Sequence, residues 1–181
     1  MKKKFPLIVD LDGTVTKYDT TLILLIKLFF SKTYLIINFF FYLFKGKAFF
    51  KHKLNQFIQI DVKNLTYNKN LIKFLKKEKK NGRKIVLCTG SNLKTAKSIS
   101  KYLNLFSKVY ASDKTLNLTG VNKAKKLVKI FGFKKFDYVG NSFDDLVVWH
   151  NSQNAIVVNA SKNLIKKVTK ISKSVQIFRI S

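Results

Sequence analysis

Short apolar runs alternate with stretches of helical periodicity along most of the chain. The first run, residues 5–9, is followed at once by Asp10, a pattern typical of a strand buried on both faces of a sheet. Four similar runs follow, at residues 84–89, 108–111, 136–140 and 155–159. Stretches with helical spacing separate or follow them, at residues 71–80, 93–103, 121–131, 144–150 and 161–171. This alternation predicts an α/β fold with a parallel central sheet covered by helices on both faces.

Residues 16–65 interrupt the alternation. This segment is rich in Phe, Leu and Ile, with apolar runs at 22–30 and 33–44, each shorter than the roughly 20 residues that span a bilayer. We therefore expect a small helical cap, a hairpin over the active site, inserted into a core made of residues 1–15 and 66–181. An exposed apolar cap flanked by lysines would also suit peripheral contact with an anionic membrane, and this alternative stays open. The flanking lysines are Lys45, Lys47, Lys51 and Lys53.

The charge of the chain favours anionic partners. Its 36 Lys and Arg against nine Asp and Glu give a net charge of +27. The lysines are spread along nearly the whole chain without a recognisable nucleic-acid-binding motif, so no nucleic acid partner is expected. The single Cys88 excludes an internal disulfide and a cysteine-based zinc site. The basic start precedes an apolar run too short for a signal peptide. A cytoplasmic protein, with the inner membrane face as the place of any peripheral contact, is the expectation.

Acidic residues are concentrated at two predicted strand ends. Four of the nine, Asp10, Asp12, Asp144 and Asp145, lie in the two short segments that follow residues 5–9 and 136–140. Because the carboxyl ends of parallel strands share one edge of the sheet, where ligands bind in such folds, these segments predict the functional site. We expect Asp144 to cap or orient the following helix rather than to bind a ligand.

Two carboxylates two residues apart suit phosphoryl transfer. On a continuing strand they would point to the same side, so that one attacks while its neighbour handles the proton. Asp10 would attack phosphorus and form an aspartyl-phosphate, and Asp12 would protonate the leaving oxygen and then deprotonate water. Thr89 and Lys123 would supply a hydroxyl donor and a cation for the phosphoryl oxygens. A magnesium ion would neutralise charge between carboxylate and phosphate oxygens.

Four segments resemble the motifs of the haloacid dehalogenase (HAD) superfamily. Residues 10–15, Asp-Leu-Asp-Gly-Thr-Val, resemble the first motif, residues 87–90 the second, Lys123 the third and residues 140–145 the fourth. The resemblance implies a Rossmann-like HAD core, a helical cap inserted after the first motif, and magnesium as cofactor. The metal ligands that it implies are Asp10, Asp12, Asn141 and Asp145.

A finer similarity is to the HAD domain fused ahead of UbiA-type polyprenyltransferases. It is carried by residues 42–48, 110–113, 117–120 and 138–142. The chain ends after the HAD-like region, so we expect any prenyltransferase partner to be a separate polypeptide or to be missing. Most HAD phosphatases have an acidic residue where this chain has Asn141. A neutral amide there would remove one unit of compensating charge, and weaker magnesium binding is the hypothesis.

The predicted function is magnesium-dependent hydrolysis of a phosphomonoester. The apolar cap favours a lipid-linked or prenyl-pathway phosphate as substrate over a sugar phosphate. The alternative is a non-catalytic HAD module that binds a membrane or a prenyltransferase partner through the cap. The presence of Asp10, Asp12 and Asp145 argues against that alternative, whereas Asn141 leaves room for it.

Overall fold

A six-stranded sheet forms the centre of the protein. The computed structural model describes residues 4–172 and 174–178. Within these residues the sheet has the order β3-β2-β1-β4-β5-β6, and every neighbouring pair is parallel. The α/β fold with a parallel sheet is therefore confirmed. The strands are β1 (Leu7–Val9), β2 (Ile85–Asn92), β3 (Lys108–Ser112), β4 (Asp137–Gly140), β5 (Ala155–Val158) and β6 (Val175–Phe178).

Eight α-helices accompany these strands in the described part of the chain. They are α1 (Thr20–Ser31), α2 (Ile36–Phe44), α3 (Lys47–Phe57), α4 (Lys69–Lys80), α5 (Leu93–Leu103), α6 (Gly120–Phe131), α7 (Leu146–Asn151) and α8 (Lys162–Ile171). The five helices expected after residue 65 correspond to α4–α8. Side-chain caps fix several starts, because Asn68, Asn92 and Ser161 accept backbone N–H groups of α4, α5 and α8.

The sheet is covered on both faces, as its apolar strands predict. Successive residues of β1 point to opposite sides, so Leu7 and Val9 pack in one core and Ile8 in the other. The first core is completed by α4 and α5, and the second by α6, α7 and α8. Trp149 of α7 is fully buried in the second core.

Strand β6 was not among the predicted elements. It pairs with β5 at the edge of the sheet, and its residues are only partly buried or exposed. Phe178 packs against Phe74 of α4, with ring centroids 5.1 Å apart. A four-residue edge strand has too short an apolar pattern to stand out in sequence.

Three helices, rather than a hairpin, lie between β1 and α4. Helices α1, α2 and α3 share a small apolar core that includes Leu28, Phe39 and Leu54. The predicted hairpin lacked α3, because the apolar residues of this helix lie among lysines, which masks its periodicity in the sequence. In the described residues no single helix is long and apolar enough to cross a membrane. Among these residues, α1 and the following stretch 33–44 reach the length and apolar composition of a membrane span only when they are taken together. The two segments are bent by 113° relative to each other.

Candidate active site

Three of the predicted site residues meet at the carboxyl edge of the sheet. Asp10 follows β1, and its backbone N–H donates to Val139 O of β4 at 2.9 Å. Lys123, in the first turns of α6, is buried, and its Nζ donates to Asp10 Oδ1 at 2.8 Å and to Asp145 Oδ1 at 3.2 Å. A buried ammonium group therefore bridges two carboxylates that come from opposite ends of the chain.

Tyr138 completes this cluster, and the sequence interpretation missed it. Its Oη accepts from Lys123 Nζ at 2.8 Å and donates to Asp145 Oδ1 at 2.5 Å. The side chain is fully buried beside Trp149, whose Nε1 donates to Tyr138 O at 3.2 Å. A tyrosine inside a buried strand is ordinarily interpreted as core, so no signal in the sequence distinguished its hydroxyl.

Asp145 is fixed from its other oxygen as well. Its Oδ2 accepts from the backbone N–H groups of Asn141 and Ser142, each at 3.2 Å, and from Ser142 Oγ at 3.1 Å. Ser142 and Asp145 form a capping box at the 3-10 turn Phe143–Asp145 that precedes α7. The expectation that Asp144 caps this helix is wrong, because Ser142 caps the turn that precedes α7 and Asp144 is exposed.

The two carboxylates differ in their electrostatic environment. Burial raises the pKa of Asp10, and the nearby Asp145 adds to this, although the ammonium group of Lys123 opposes it. Burial would also raise the pKa of Asp145, but Lys123 and the hydrogen bonds from Tyr138 and Ser142 outweigh it and lower the pKa. Despite its burial, Lys123 has a raised pKa because Asp10 and Asp145 favour its charged form. The cluster thus holds one permanent cation and one firmly ionised carboxylate.

Asp12 is turned toward the start of α1 and the end of β2. Its Oδ1 accepts from Thr20 N at 2.8 Å, and its Oδ2 accepts from Ser91 Oγ. Burial, with help from Asp19, raises the pKa of Asp12, and these hydrogen bonds oppose the rise. A carboxyl group with a raised pKa suits a residue that must carry a proton and then return it.

Thr89 lies in a different setting from the one expected. It is fully buried, and its Oγ1 accepts from Ser91 N at 3.0 Å. Its neighbour Gly90, rather than Thr89, lines the cavity over the site. The role of Thr89 toward a phosphoryl group stays a prediction.

A cavity of about 400 Å³ opens over the cluster. It is lined by the predicted residues Asp10, Asp12, Lys123, Asn141 and Asp145. From α3, Lys47 and Lys51 line it as well, and Lys51 Nζ donates to Gly90 O at 2.8 Å. A neighbouring cavity of about 530 Å³ shares Lys47 and Asn117 with it and includes Phe49 and Leu116.

Comparison with known proteins gives the fold a name. A HAD family hydrolase from Salmonella enterica serovar Typhi superposes with a TM-score of 0.65 at 14% identity, over 90% of this chain and 66% of that one. The protein has the HAD hydrolase fold. A protein of unknown function from Bordetella pertussis has a TM-score of 0.73 at 12% identity, over 99% of this chain and 100% of its own.

Two phosphoserine phosphatase structures share this HAD fold. One is a substrate complex and the other a phospho-aspartyl intermediate analogue. Their TM-scores are 0.64 and 0.59 at 14% and 15% identity, and each match covers 97% of this chain and 94% of the enzyme. At these identities the likeness concerns the fold alone.

Sequence comparison finds fewer similarities for this chain than structural comparison does. No protein-family profile matches the sequence. The protein y4nM of Sinorhizobium fredii, itself uncharacterized, is 29% identical over 156 residues, which is 86% of this chain and 30% of its own length. The chain therefore spans about 30% of that relative. The similarity to UbiA-fused HAD domains stays a prediction.

The residues at this edge of the HAD fold suit magnesium by their chemistry. In the described chain, no group of three or more His, Cys, Asp or Glu side chains is placed to hold a metal ion. The cavity nevertheless offers carboxylates of Asp10 and Asp145 and the amide of Asn141. Magnesium prefers oxygen ligands and is commonly held by one or two carboxylates while it keeps several waters. Both oxygens of Asp12 are engaged by Thr20 and Ser91. Both oxygens of Asp145 are engaged as well, by Lys123, Tyr138 and the turn at Ser142. The parts of Asp12 and Asp145 in a metal site therefore stay predictions.

Glycine at position 13 leaves room for the side chain of Asn141 at the wall of the cavity. Gly13 has φ +70°, and a Cβ there would lie 2.1 Å from Asn141 Nδ2. Thr14 Oγ1 donates to Asn141 Oδ1 at 3.2 Å. The turn after β1 therefore holds the amide group, and any side chain at position 13 would displace it.

Proposed function

We propose that the protein is a magnesium-dependent phosphatase that hydrolyses a phosphomonoester through an aspartyl-phosphate on Asp10. The supporting observation is the convergence of Asp10, Lys123 and Asp145 under one cavity of a HAD fold, with Asp12 two residues beyond the nucleophile. Each group has the chemistry that one part of this reaction requires.

The first half of the reaction would use Asp10 as nucleophile. A carboxylate oxygen of Asp10 attacks phosphorus, the bond between phosphorus and the ester oxygen breaks, and an aspartyl-phosphate forms. Asp12, whose pKa burial raises, gives its proton to the departing oxygen. Lys123, 2.8 Å from Asp10 Oδ1, opposes the rise that burial causes in the pKa of the nucleophile and offsets negative charge on the phosphoryl group.

The second half would release phosphate. Asp12, now ionised, takes a proton from a water molecule, whose oxygen attacks phosphorus and frees Asp10. Inorganic phosphate leaves, and Asp12 regains its proton. Asn141 and Asp145, together with Asp10, would hold the magnesium ion, which when bound neutralises charge on the phosphoryl oxygens.

Residues 16–65 would act as the cap that selects the substrate. Lys47 and Lys51 bring positive charge into the cavity, and the neighbouring cavity adds the apolar side chains of Phe49 and Leu116. We infer that the leaving group has an apolar part, as in a lipid-linked or prenyl-pathway phosphate.

A panel of phosphomonoesters, including phosphoserine, sugar phosphates and prenyl monophosphates, tests the proposal with and without Mg²⁺. The variant Asp10→Asn should lower kcat by about 10³-fold or more, because it removes the nucleophile. The control Asp61→Asn removes an exposed carboxylate away from the cavity and should keep wild-type activity. Equal rates for wild type and Asp10→Asn would show that the nucleophile is assigned wrongly.

A second candidate is a non-catalytic HAD module that binds a membrane or a prenyltransferase partner. The observation in its favour is the set of exposed aromatic side chains on α2, such as Phe41 and Phe44. Failure of the wild type to hydrolyse any ester in the panel with Mg²⁺ would favour this candidate over the phosphatase.

A further inference from the structure

Helices α1 and α2, with the turn between them, expose an unusually apolar surface. Ten large apolar side chains there each leave more than half of their surface accessible to solvent. We call this set the aromatic face. Its members are Leu22, Ile26, Phe29, Phe30, Tyr34, Ile37, Phe40, Phe41, Leu43 and Phe44.

The apolar residues of the aromatic face are not needed for internal packing. Helix α1 buries Leu24 and Leu28 against its neighbours, and its opposite side would ordinarily be polar. Instead that side carries residues such as Ile26 and Phe30. In α2 the single buried residue is Phe39. Exposed large apolar side chains in this number mark a surface that binds something.

The charge around the aromatic face is predominantly positive, with Asp19, whose Oδ1 accepts from Leu22 N at 3.1 Å, as the acidic residue at the start of α1. From residue 20 to residue 60 the sequence has six lysines and no Asp or Glu. Lys45 lies with its Nζ 5.4 Å from the ring centroid of Phe49, and Lys53 with its Nζ 5.9 Å from that of Tyr42. A second copy of the chain docked face to face would bring these lysines together with Asp19 as the one carboxylate of residues 19–60 to pair them. The charge is complementary to an anionic surface instead.

We propose that the aromatic face binds the surface of an anionic lipid bilayer. Phenyl rings and aliphatic side chains of α1 and α2 enter the boundary between headgroups and acyl chains, and Lys32 and Lys45, at the ends of these helices, contact lipid phosphates. Aromatic and aliphatic residues beside lysines on short helices are the composition of such interfacial segments. This binding goes beyond the phosphatase activity and does not require it, so each can fail without the other.

Flotation of the full chain with lipid vesicles tests the proposal. Vesicles of phosphatidylcholine mixed with phosphatidylglycerol should carry the wild type, and vesicles of phosphatidylcholine alone should carry much less. The double variant Phe41→Ser/Phe44→Ser should lower the partition coefficient about tenfold or more, because two exposed rings no longer enter the bilayer. Ile130→Ser/Phe133→Ser, which also removes two exposed apolar side chains but outside the 16–65 segment, should bind like the wild type.

A charge-reversal pair tests the electrostatic part without altering the aromatic face. Lys32→Glu/Lys45→Glu should lower binding to the phosphatidylglycerol vesicles about tenfold or more. The control Lys162→Glu/Lys166→Glu changes the net charge equally on α8 and should have a much smaller effect.

Three results would overturn the proposal. The first is absence of wild-type binding to phosphatidylglycerol vesicles, as expected if the face serves an acidic protein. The second is unchanged binding by both the Phe41→Ser/Phe44→Ser and Lys32→Glu/Lys45→Glu variants. The third is a dimer in sedimentation velocity without lipid that Phe41→Ser/Phe44→Ser dissociates, since the face would then be occupied by a second copy.

Discussion

Tyr138 adds a second link between Lys123 and Asp145, which also contact each other directly at 3.2 Å. Burial, together with Asp145 and Asp10, raises its pKa well above the usual value, so its hydroxyl stays protonated and donates to Asp145. The hydroxyl therefore positions Asp145 and Lys123 without contacting the substrate in the proposed reaction.

The variant Tyr138→Phe should lower kcat about tenfold, because Asp145 loses the donor 2.5 Å away. The free energy of unfolding should fall by about 1–2 kcal/mol, since a buried acceptor loses its partner. Steady-state kinetics and urea unfolding measure the two effects. Tyr110→Phe, on β3, is the matched control and should change neither. An unchanged kcat in Tyr138→Phe would contradict the positioning role.

Asn141 tests the proposed metal site at the same scale. Replacing it with Asp adds a carboxylate beside Asp10 and Asp145 in the cavity and should tighten magnesium binding about tenfold. Isothermal titration of Mg²⁺ and the magnesium dependence of the activity measure this. Asn117→Asp adds the same charge elsewhere in the cavity wall and should have a smaller effect. An unchanged magnesium requirement in Asn141→Asp would place the metal elsewhere.

Among the elements, α4, β4 and the segment that leads into β1 are linked at the amino edge of the sheet by Arg83. Its Nη1 donates to Glu78 Oε2 of α4 at 2.8 Å, its Nη2 pairs with Asp137 of β4, and its Nε donates to Phe5 O at 2.9 Å. Arg83, Glu78 and Asp137 are nearly buried. Removal of one partner would leave an uncompensated charge between packed elements.

The variant Glu78→Gln should make stability less dependent on pH. Burial alone would raise the pKa of Glu78. Hydrogen bonds from Arg83 and Lys4 outweigh this effect and lower the pKa below its ordinary value of 4.5. The folded state therefore holds the ionised form more strongly. This contribution is present above pH 4.5 and is lost as the pH falls through the lower folded-state pKa.

Urea unfolding from neutral pH to below the pKa of Glu78 measures this effect. Wild type should be more stable than Glu78→Gln at neutral pH, and the difference should shrink as the pH falls below 4.5. Asp61→Asn, which removes an exposed carboxylate but keeps an oxygen acceptor, should show little difference at any pH. A difference for Glu78→Gln that does not vary with pH would rule out the ion pair as its cause.

Sequence periodicity predicted most elements because most are long or fully buried. Helices α4, α5 and α8 are recognisable in the sequence because a capping residue precedes apolar residues at helical spacing, as with Asn68 before Leu71 and Leu75. Strand β6 and helix α3 were not predicted, each for its own reason. The strand is short and partly exposed, and the helix mixes its buried residues with lysines.

The carboxylates of the site were predictable because they follow strand ends, and Lys123, on α6, because its position resembles a family motif. Asp10 and Asp145 could be expected to approach each other because β1 and β4 are parallel neighbours. The contact of Ser91 with Asp12 joins residues 79 positions apart. It depends on how the turns after β1 and β2 fold, which periodicity does not encode. The hydroxyl of Thr89 accepts a hydrogen bond from the backbone N–H of Ser91, a local contact that the sequence does not predict.

Charge is distributed unevenly over the whole molecule. Five of its nine acidic residues line the cavity of the candidate site, namely Asp10, Asp12, Asp19, Asp144 and Asp145. The 36 Lys and Arg give the chain its net charge of +27. An anionic ester approaching the protein is attracted by the net positive charge, whereas a divalent cation finds the largest group of acidic side chains at the cavity.

Trp149 gives the molecule a built-in optical reporter. It is the single tryptophan of the chain, it is fully buried, and its ring centroid lies 6.0 Å from that of Tyr138. All indole fluorescence therefore comes from one environment, directly behind the hydroxyl that contacts Lys123 and Asp145. Emission from the unlabelled protein can thus follow events at the cluster and the unfolding of the surrounding core in the same experiment.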